Sequence, residues 1–517
     1  MLAAIRSASV LGIDAYDITV EVDVAQGLPQ WTTVGLPASA VKESRERVGA
    51  ALLNSGFTLP PRRITTNLAP ADVRKEGTAF DLPIALGVLV GTGVVAPEAV
   101  ARHTFVGELG LDGSVRPVRG ALSIARMLAA SSASGPDCTL VLPRTNVAEA
   151  ALVPTLPLAA PSTLAELVAW LRRGGPLPTP PRDGVLAGGE DPADFADVAG
   201  QEGAKRALTI AAAGGHGALL IGPPGAGKTM LARRLPTILP DMTSAESLEV
   251  TAIHSVAGLL DPRLGAVTRR PFRAPHHSVS TAGLVGGGSV PRPGEASLAH
   301  HGVLFLDELL EFPRSVLEAL RQPMEDGTVT IARAMASLRF PARFALVGAM
   351  NPCPCGHAGD PTHACACAAA DVLRYRGRLS GPLADRIDLH VAVPPVSLAR
   401  LAGRDAAEGS ASIRERVEAA RRRQRERYGT DVACNARAPG RWLVAHAGLE
   451  PAARTLFESA AERLHLSARA FHRVLRVART IADLEGSTSV ASAHVAEALG
   501  YRPRGVESVV AAAAEVA

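Results

Sequence analysis

Residues Gly222-Pro223-Pro224-Gly225-Ala226-Gly227-Lys228-Thr229 constrain this chain more than any other feature. They fit G-x-x-x-x-G-K-[ST]. An apolar run, Ala218–Ile221, precedes them and a helical run, Met230–Leu235, follows. That strand–loop–helix context is what the pattern requires. Glycines let backbone N–H groups curl around phosphates, and the helix N-terminus adds partial positive charge. The segment therefore reads as an ATP site. Lys228 reaches the β- and γ-phosphates, and the Thr229 hydroxyl ligates Mg²⁺. Of 54 cations only Lys42, Lys75, Lys205 and Lys228 are lysines, so a lysine here does not follow from composition.

Two further apolar strands end in polar residues. Val303–Leu306 runs into Asp307-Glu308, and Phe344–Met350 runs into Asn351. Short buried strands alternating with helices predict a parallel α/β sheet. Carboxylates at such a strand end lie beside the phosphate loop. Asp307 is then the Mg²⁺ ligand and Glu308 the group that polarises the attacking water. Asn351 is placed to position that water or to sense the γ-phosphate.

The chain has 517 residues, enough for three or four domains. The clearest boundary is 174–192, where ten of nineteen residues are Gly or Pro, the composition of a linker. Before it, residues 1–173 mix strand-like alternation at Asp17–Val24 with helical stretches at Ala40–Leu53 and Leu122–Ala130, an α+β pattern. After it come the α/β core, 193–395, and a helical, Arg-rich part, 396–517. With 47% hydrophobic and 20% charged residues, wholesale disorder is excluded. The longest apolar stretch, near Ile84–Val95, is short and broken by glycines. No secretory signal stands at the start, so the expected location is the cytoplasm, without a membrane partner.

Charge is distributed unevenly. The net value is only +4, yet 396–517 holds 19 arginines against 14 carboxylates, a surplus of five. Arg421, Arg422, Arg423, Arg425 and Arg427 fall within seven residues. On a helix they would bind phosphate backbones without sequence preference, or form a solvated face paired with glutamates. Aromatics, at 3%, are too few for base-stacking platforms.

Four of the six cysteines, Cys353, Cys355, Cys365 and Cys367, fall within fifteen residues on a Pro/Gly-rich loop. They read as a tetrahedral Cys₄ zinc site of structural type, with His357 or His363 able to replace one ligand. Free thiols in a reducing cytosol are the other reading. Cys138 and Cys434 are isolated and read as buried.

The order of phosphate loop, DE strand and Asn-ended strand resembles AAA+ ATPases. FRAPHHSVSTAGLVGGGSVPRPGEASLAHHGVLFLDEL, LEALRQPMEDGTVTIARA, NPCPCG and LSGPLADRIDLHV resemble the magnesium-chelatase-like branch, and within it the ComM/YifB family, over essentially the whole chain. The resemblance implies an arginine finger at Arg386 and a second sensor arginine at Arg469, with Arg473 the alternative one helical turn away. It implies a helical lid at 396–517 and an insert at roughly 248–300. Thr328–Phe344 becomes a pore hairpin with Arg333 and Arg339 as DNA contacts, and Val198–Gln201 lies at the adenine side. It makes 1–173 Lon-protease-like (S5 domain 2-like). Ala79, however, occupies the place of the nucleophilic serine and Leu122 that of the lysine, so no Ser–Lys dyad exists.

Three functions compete. The family implies a homo-hexameric, ATP-driven DNA helicase that promotes branch migration in recombination, as in integration of transforming DNA. A metal-chelatase motor subunit inserting Mg²⁺ into a tetrapyrrole has a similar core. An ATP-dependent protease or chaperone is weakened by Ala79 and Leu122.

Overall fold

The computed structural model describes residues 1–73, 75–131, 138–180, 193–261, 264–288, 291–333, 336–359, 363–396, 408–429 and 434–502. Most of the expected linker, 181–192, lies outside these, as do 397–407, 430–433 and 503–517 of the C-terminal part. The chain divides into two compact units. Unit one is Met1–Gly188 with Thr243–Thr268 and Ala332–Phe340; unit two is Gly189–Met242, Arg269–Ile331 and Pro341–Ala517.

Unit one is built on strands β1 (Leu2–Leu11), β2 (Asp14–Ala25), β3 (Gln30–Val34), β4 (Arg63–Ala69), β5 (His103–Phe105), β6 (Thr139–Val141) and β7 (Leu158–Ala159). Their order in the sheet is β3-β4-β2-β1-β5-β6-β7. β1 and β2 pair antiparallel with Ile5 opposite Val20, joined by a two-residue turn in which Gly12 takes φ 69°. The expected alternation holds: Ile18, Val20, Val22 and Val24 are buried. The apolar stretch near Ile84–Val95 contributes to helix α1 (Asp81–Gly91), which is buried along its whole length. Its glycines permit close approach to the sheet. A Cβ on Gly87 would stand 2.4 Å from Val22, and one on Gly91 2.8 Å from Val24.

Unit two centres on five parallel strands: β8 (Ala218–Ile221), β9 (Phe272–Arg273), β10 (Val303–Leu306), β11 (Ala345–Met350) and β12 (Leu389–Ala392). Their order is β9-β10-β11-β8-β12. β8, which feeds the phosphate loop, thus lies inside the sheet with β11 on one side and β12 on the other. Central position explains the uninterrupted apolar character of Ala218–Leu220 and Val303–Leu306, all buried. Toward the C-terminus follow helices Ser410–Tyr428, Gly440–His446, Pro451–Arg463, Ala468–Leu484 and Ser492–Gly500. Val417, Ala420, Leu475 and Ala478 from them share one apolar core with Leu220, Val347 and Val391 of the sheet. Among the described residues no helix is long and apolar enough to cross a membrane.

His390 on β12 gives this unit a pH dependence. Burial, with the nearby Arg502 guanidinium, pushes its pKa down to about 4. The folded state therefore keeps the ring neutral. Its contribution is complete above about pH 6.5 and is lost as pH falls toward 4, because unfolding then takes up a proton. Between pH 7 and 4.5 the loss is about 2 kcal/mol. His390→Gln should flatten the pH dependence of the urea unfolding free energy by that amount. An unchanged slope would remove His390 as its source.

Candidate nucleotide site

The loop after β8 is shaped by close contacts that only glycine permits. Gly222 lies against β12's continuation: a Cβ there would stand 2.1 Å from the Val393 carbonyl oxygen. Gly225 and Gly227 take φ 76° and 87°, in the left-handed region. Helix α2 (Lys228–Ile238) starts directly after Gly227 and aims its N-terminus into the loop. From the other side, Gln201 Nε2 donates to Ala226 O at 3.1 Å and to Pro394 O at 2.6 Å, tying the loop to the segment after β12.

Lys228 folds back over the loop. Its ammonium donates to Gly222 O at 2.7 Å, Pro223 O at 2.8 Å and Asn351 Oδ1 at 3.1 Å. Burial lowers its pKa, opposed by the charges of Asp307 and Glu308. Asp307, at the end of β10, accepts from the Thr229 hydroxyl at 2.6 Å and from the Glu308 N–H at 3.0 Å. Glu308 takes φ 49°, ψ 48°, a conformation uncommon outside glycine. Its exposed carboxylate lies 3.5 Å from His277 Nδ1, and the His277 ring meets Phe312 edge-on at 6.4 Å.

Pro224–Thr229, Asp307, Glu308 and Asn351 thus line one open cleft of about 620 Å³, joined by Tyr375 and Glu311. Three residues of this neighbourhood were not singled out from sequence for the parts they take: Gln201, His277 and Tyr375. VAGQ and the HH pair were the signals for the first two; Tyr375 carried none.

The remaining site candidates lie elsewhere. Arg386 and Arg469 do not line the cleft. Both reach Glu325: Arg386 forms an ion pair with it, and Arg469 Nη2 stands 3.9 Å away. Arg386 Nη1 also donates to Pro382 O at 2.7 Å. Arg473 is 3.4 Å from Asp388, which also lies 2.8 Å from His216 Nδ1. Of the DNA-contact candidates, Arg339 is exposed on Ala336–Pro341, and the Arg333 side chain is outside the described residues. Arg422 is exposed on helix Ser410–Tyr428. Arg425 is exposed too, while three others of the run are engaged within the unit. Arg421 donates to Ala212 O at 3.0 Å, Arg423 to Asp483 O at 2.7 Å and Arg427 to Asp483 Oδ2 at 3.0 Å.

The Sγ atoms of Cys353, Cys355, Cys365 and Cys367 all lie within 4.8 Å of one another. Cys353 is buried, while Cys355 and Cys365 are exposed. Cys138 and Cys434 are buried, as their isolation led us to expect.

An all-parallel sheet carrying a phosphate loop, an asparagine at the end of the adjacent strand and an acidic pair on the strand beyond it defines an α/β nucleotide-binding protein of the AAA+ class. Family profiles agree: "Magnesium chelatase, subunit ChlI" matches residues 194–401, "Subunit ChlI of Mg-chelatase" residues 20–146, and "Magnesium chelatase, subunit ChlI C-terminal" residues 407–502. The competence protein ComM of Haemophilus influenzae is 45% identical over 508 residues, covering 97% of each chain. YifB of Salmonella typhimurium is 43% identical over 505 residues, again 97% of each. The magnesium-chelatase 38 kDa subunit of Cereibacter sphaeroides is 29% identical over 180 residues, 31% of this chain and 53% of its own. The chain belongs to the ComM/YifB family of magnesium-chelatase-like AAA+ proteins.

Proposed function

We propose that this chain is an ATP-hydrolysing motor that acts on branched or single-stranded DNA in the cytoplasm as a homo-hexamer. It promotes branch migration during homologous recombination, including integration of transforming DNA. The observation that carries the ATPase reading is the convergence of Lys228, Thr229, Asp307, Glu308 and Asn351 on one cleft. The DNA reading rests on near full-length similarity to a protein named for competence.

The Thr229 hydroxyl and the Asp307 carboxylate, 2.6 Å apart, are hard oxygen donors suited to Mg²⁺, which when bound neutralises charge on the β- and γ-phosphates. Lys228 supplies fixed positive charge at the same phosphates. Glu308 orients the attacking water and accepts its proton, and Asn351 holds the water or the γ-phosphate. Arg386 from a neighbouring subunit and Arg469 from the helical part, acting as a lid, complete the charge stabilisation. Residues 1–173 are read as a Lon-protease-like fold without proteolysis, since Ala79 and Leu122 offer neither nucleophile nor base. A zinc ion at the four cysteines completes the cofactor set.

A synthetic four-way junction tests this reading. The protein with ATP should convert the junction to branch-migrated products, and DNA should stimulate its ATPase. A chain that hydrolyses ATP but neither moves the junction nor responds to DNA would sink the DNA reading. The local similarity to the magnesium-chelatase 38 kDa subunit supports the second reading, a chelatase motor, whose ATPase would instead respond to chelatase partner subunits.

A further inference from the structure

The cysteine cluster is part of the segment that joins the nucleotide-sensing asparagine to the rest of the unit. Cys353 follows Asn351 by two residues, and Asn351 Oδ1 accepts from the Lys228 ammonium. Gly356, between the two cysteine pairs, takes φ 87° and presses on the phosphate loop. A Cβ there would stand 2.6 Å from Pro224 Cδ. On the far side, helix Ala369–Arg376 ties back to the same segment, with Arg376 Nε donating to Pro352 O at 3.0 Å, and it carries Tyr375 into the cleft. The segment thus touches the cleft at three places: Asn351, Pro224 and Tyr375.

The four sulfurs converge as metal ligands do. Cys353 Sγ lies 3.4 Å from Cys355 Sγ and 3.6 Å from Cys365 Sγ, and Cys355 and Cys365 are 3.6 Å apart. A tetrahedron with Zn–S bonds of about 2.3 Å has edges of about 3.8 Å, so small shifts accommodate the ion. Backbone N–H groups already point at two sulfurs: Cys355 N donates to Cys367 Sγ at 3.4 Å, and Ala358 N to Cys353 Sγ at 3.3 Å. Such bonds orient thiolate ligands and favour their charged form. Four ligands close the coordination sphere and leave no position for substrate, so the ion organises structure. Hydrogen bonds from Lys228 to Asn351 and from Arg376 to Pro352 already anchor the two ends, and an ion at the four sulfurs would tie Cys353 and Cys355, on either side of Pro354, to Cys365 and Cys367.

We propose that Cys353, Cys355, Cys365 and Cys367 bind one Zn²⁺, and that this ion holds Asn351, Gly356 and helix Ala369–Arg376 in place beside the phosphate loop, making hydrolysis zinc-dependent. The dependence rests on the nucleotide reading of the cleft; the zinc itself does not. Full-length protein should contain about one zinc per chain by elemental analysis. Replacement by Co²⁺ should give the intense visible bands of tetrahedral thiolate coordination. Cys365→Ser/Cys367→Ser should abolish both signals and lower kcat for ATP on the order of 10²-fold, through misplacement of Asn351 and the loop. Stripping zinc from the wild-type chain with a thiol-specific mercurial, then restoring thiols and zinc, should remove and return hydrolysis. This covers the case in which the variant fails to fold. A chain with no metal and no Co²⁺ spectrum, or with disulfides among these cysteines, overturns the site. Unchanged kcat in a zinc-free, folded chain overturns the coupling. A zinc-loaded chain that binds no ATP overturns the nucleotide reading instead and leaves the metal site standing.

Discussion

Arg386→Ala should retain ATP binding and lose hydrolysis by about 10³-fold or more, the effect of removing an arginine that stabilises the transferring phosphoryl group. On the proposed hexamer this becomes a prediction about assembly. Arg386 does not line its own subunit's cleft; it pairs with Glu325 and donates to Pro382 O. Its side chain is only 7% exposed, and its Nε has no hydrogen-bond partner. To reach another subunit the guanidinium has to leave Glu325 and Pro382 O, a rearrangement that the assembled state would have to drive. If its target there is a neighbour's γ-phosphate, mutants deficient at opposite sides of an interface should complement. Mixing Arg386→Ala with Lys228→Ala subunits places an intact Lys228 opposite an intact Arg386 at some interfaces. The mixture should regain steady-state hydrolysis that neither variant shows alone. Activity of Arg386→Ala equal to wild type, or absence of complementation in rings shown to be mixed, would remove the arginine from the interface mechanism.

The parts of the site legible in sequence are those that local patterns specify. Lys228 and Thr229 are fixed by a contiguous loop, and Asp307 and Asn351 by apolar strands too short and too uniformly buried to be anything but sheet centre. Strand order then brings residues 78 positions apart into a hydrogen bond between Thr229 and Asp307. What escaped were pairings that no period announces. His277 beside Glu308, and Glu325 beneath both Arg386 and Arg469, depend on where loops land. The arginine run 421–427 shows the limit most clearly. Its charges read as an outward face, but Ile413, Val417, Ala420 and Gln424 form the buried stripe, and a glutamine within it hides the 3.6-residue period. Arg421, Arg423 and Arg427 flank that stripe, so their long side chains reach carbonyls and Asp483 of the unit itself. In the N-terminal unit the alternation of β2 was plain. The grouping of Thr243–Thr268 with it was not, because the contact between Ser255 and Glu149 spans 106 residues.

Lys228→Ala should reduce hydrolysis by about 10³-fold and abolish ATP-dependent junction movement while leaving the fold intact. The two halves of this expectation have separate grounds. Hydrolysis fails because no other cation lines the cleft: among the described residues its lining includes Asp307, Glu308 and Glu311, and Lys228 is its one basic side chain. Without it, the cleft's own side chains offer the developing phosphate charge no cation, and three carboxylates stand beside it. Stability holds because the ammonium is a burdened group in the protein. It is buried, its pKa is lowered by that burial, and its hydrogen bonds go to two loop carbonyls and an amide oxygen, with no ion pair among the described residues. Removing a desolvated charge from an open cleft lets water reach those acceptors. The thermal midpoint should therefore stay within about 3 °C of wild type. Lys228→Arg should not restore the rate, because the guanidinium is too broad for a space framed by Gly222 O, Pro223 O and Asn351. A large fall in thermal midpoint with either variant would mean that the lysine serves the loop's structure. A retained rate would mean that the cleft is not where ATP is hydrolysed.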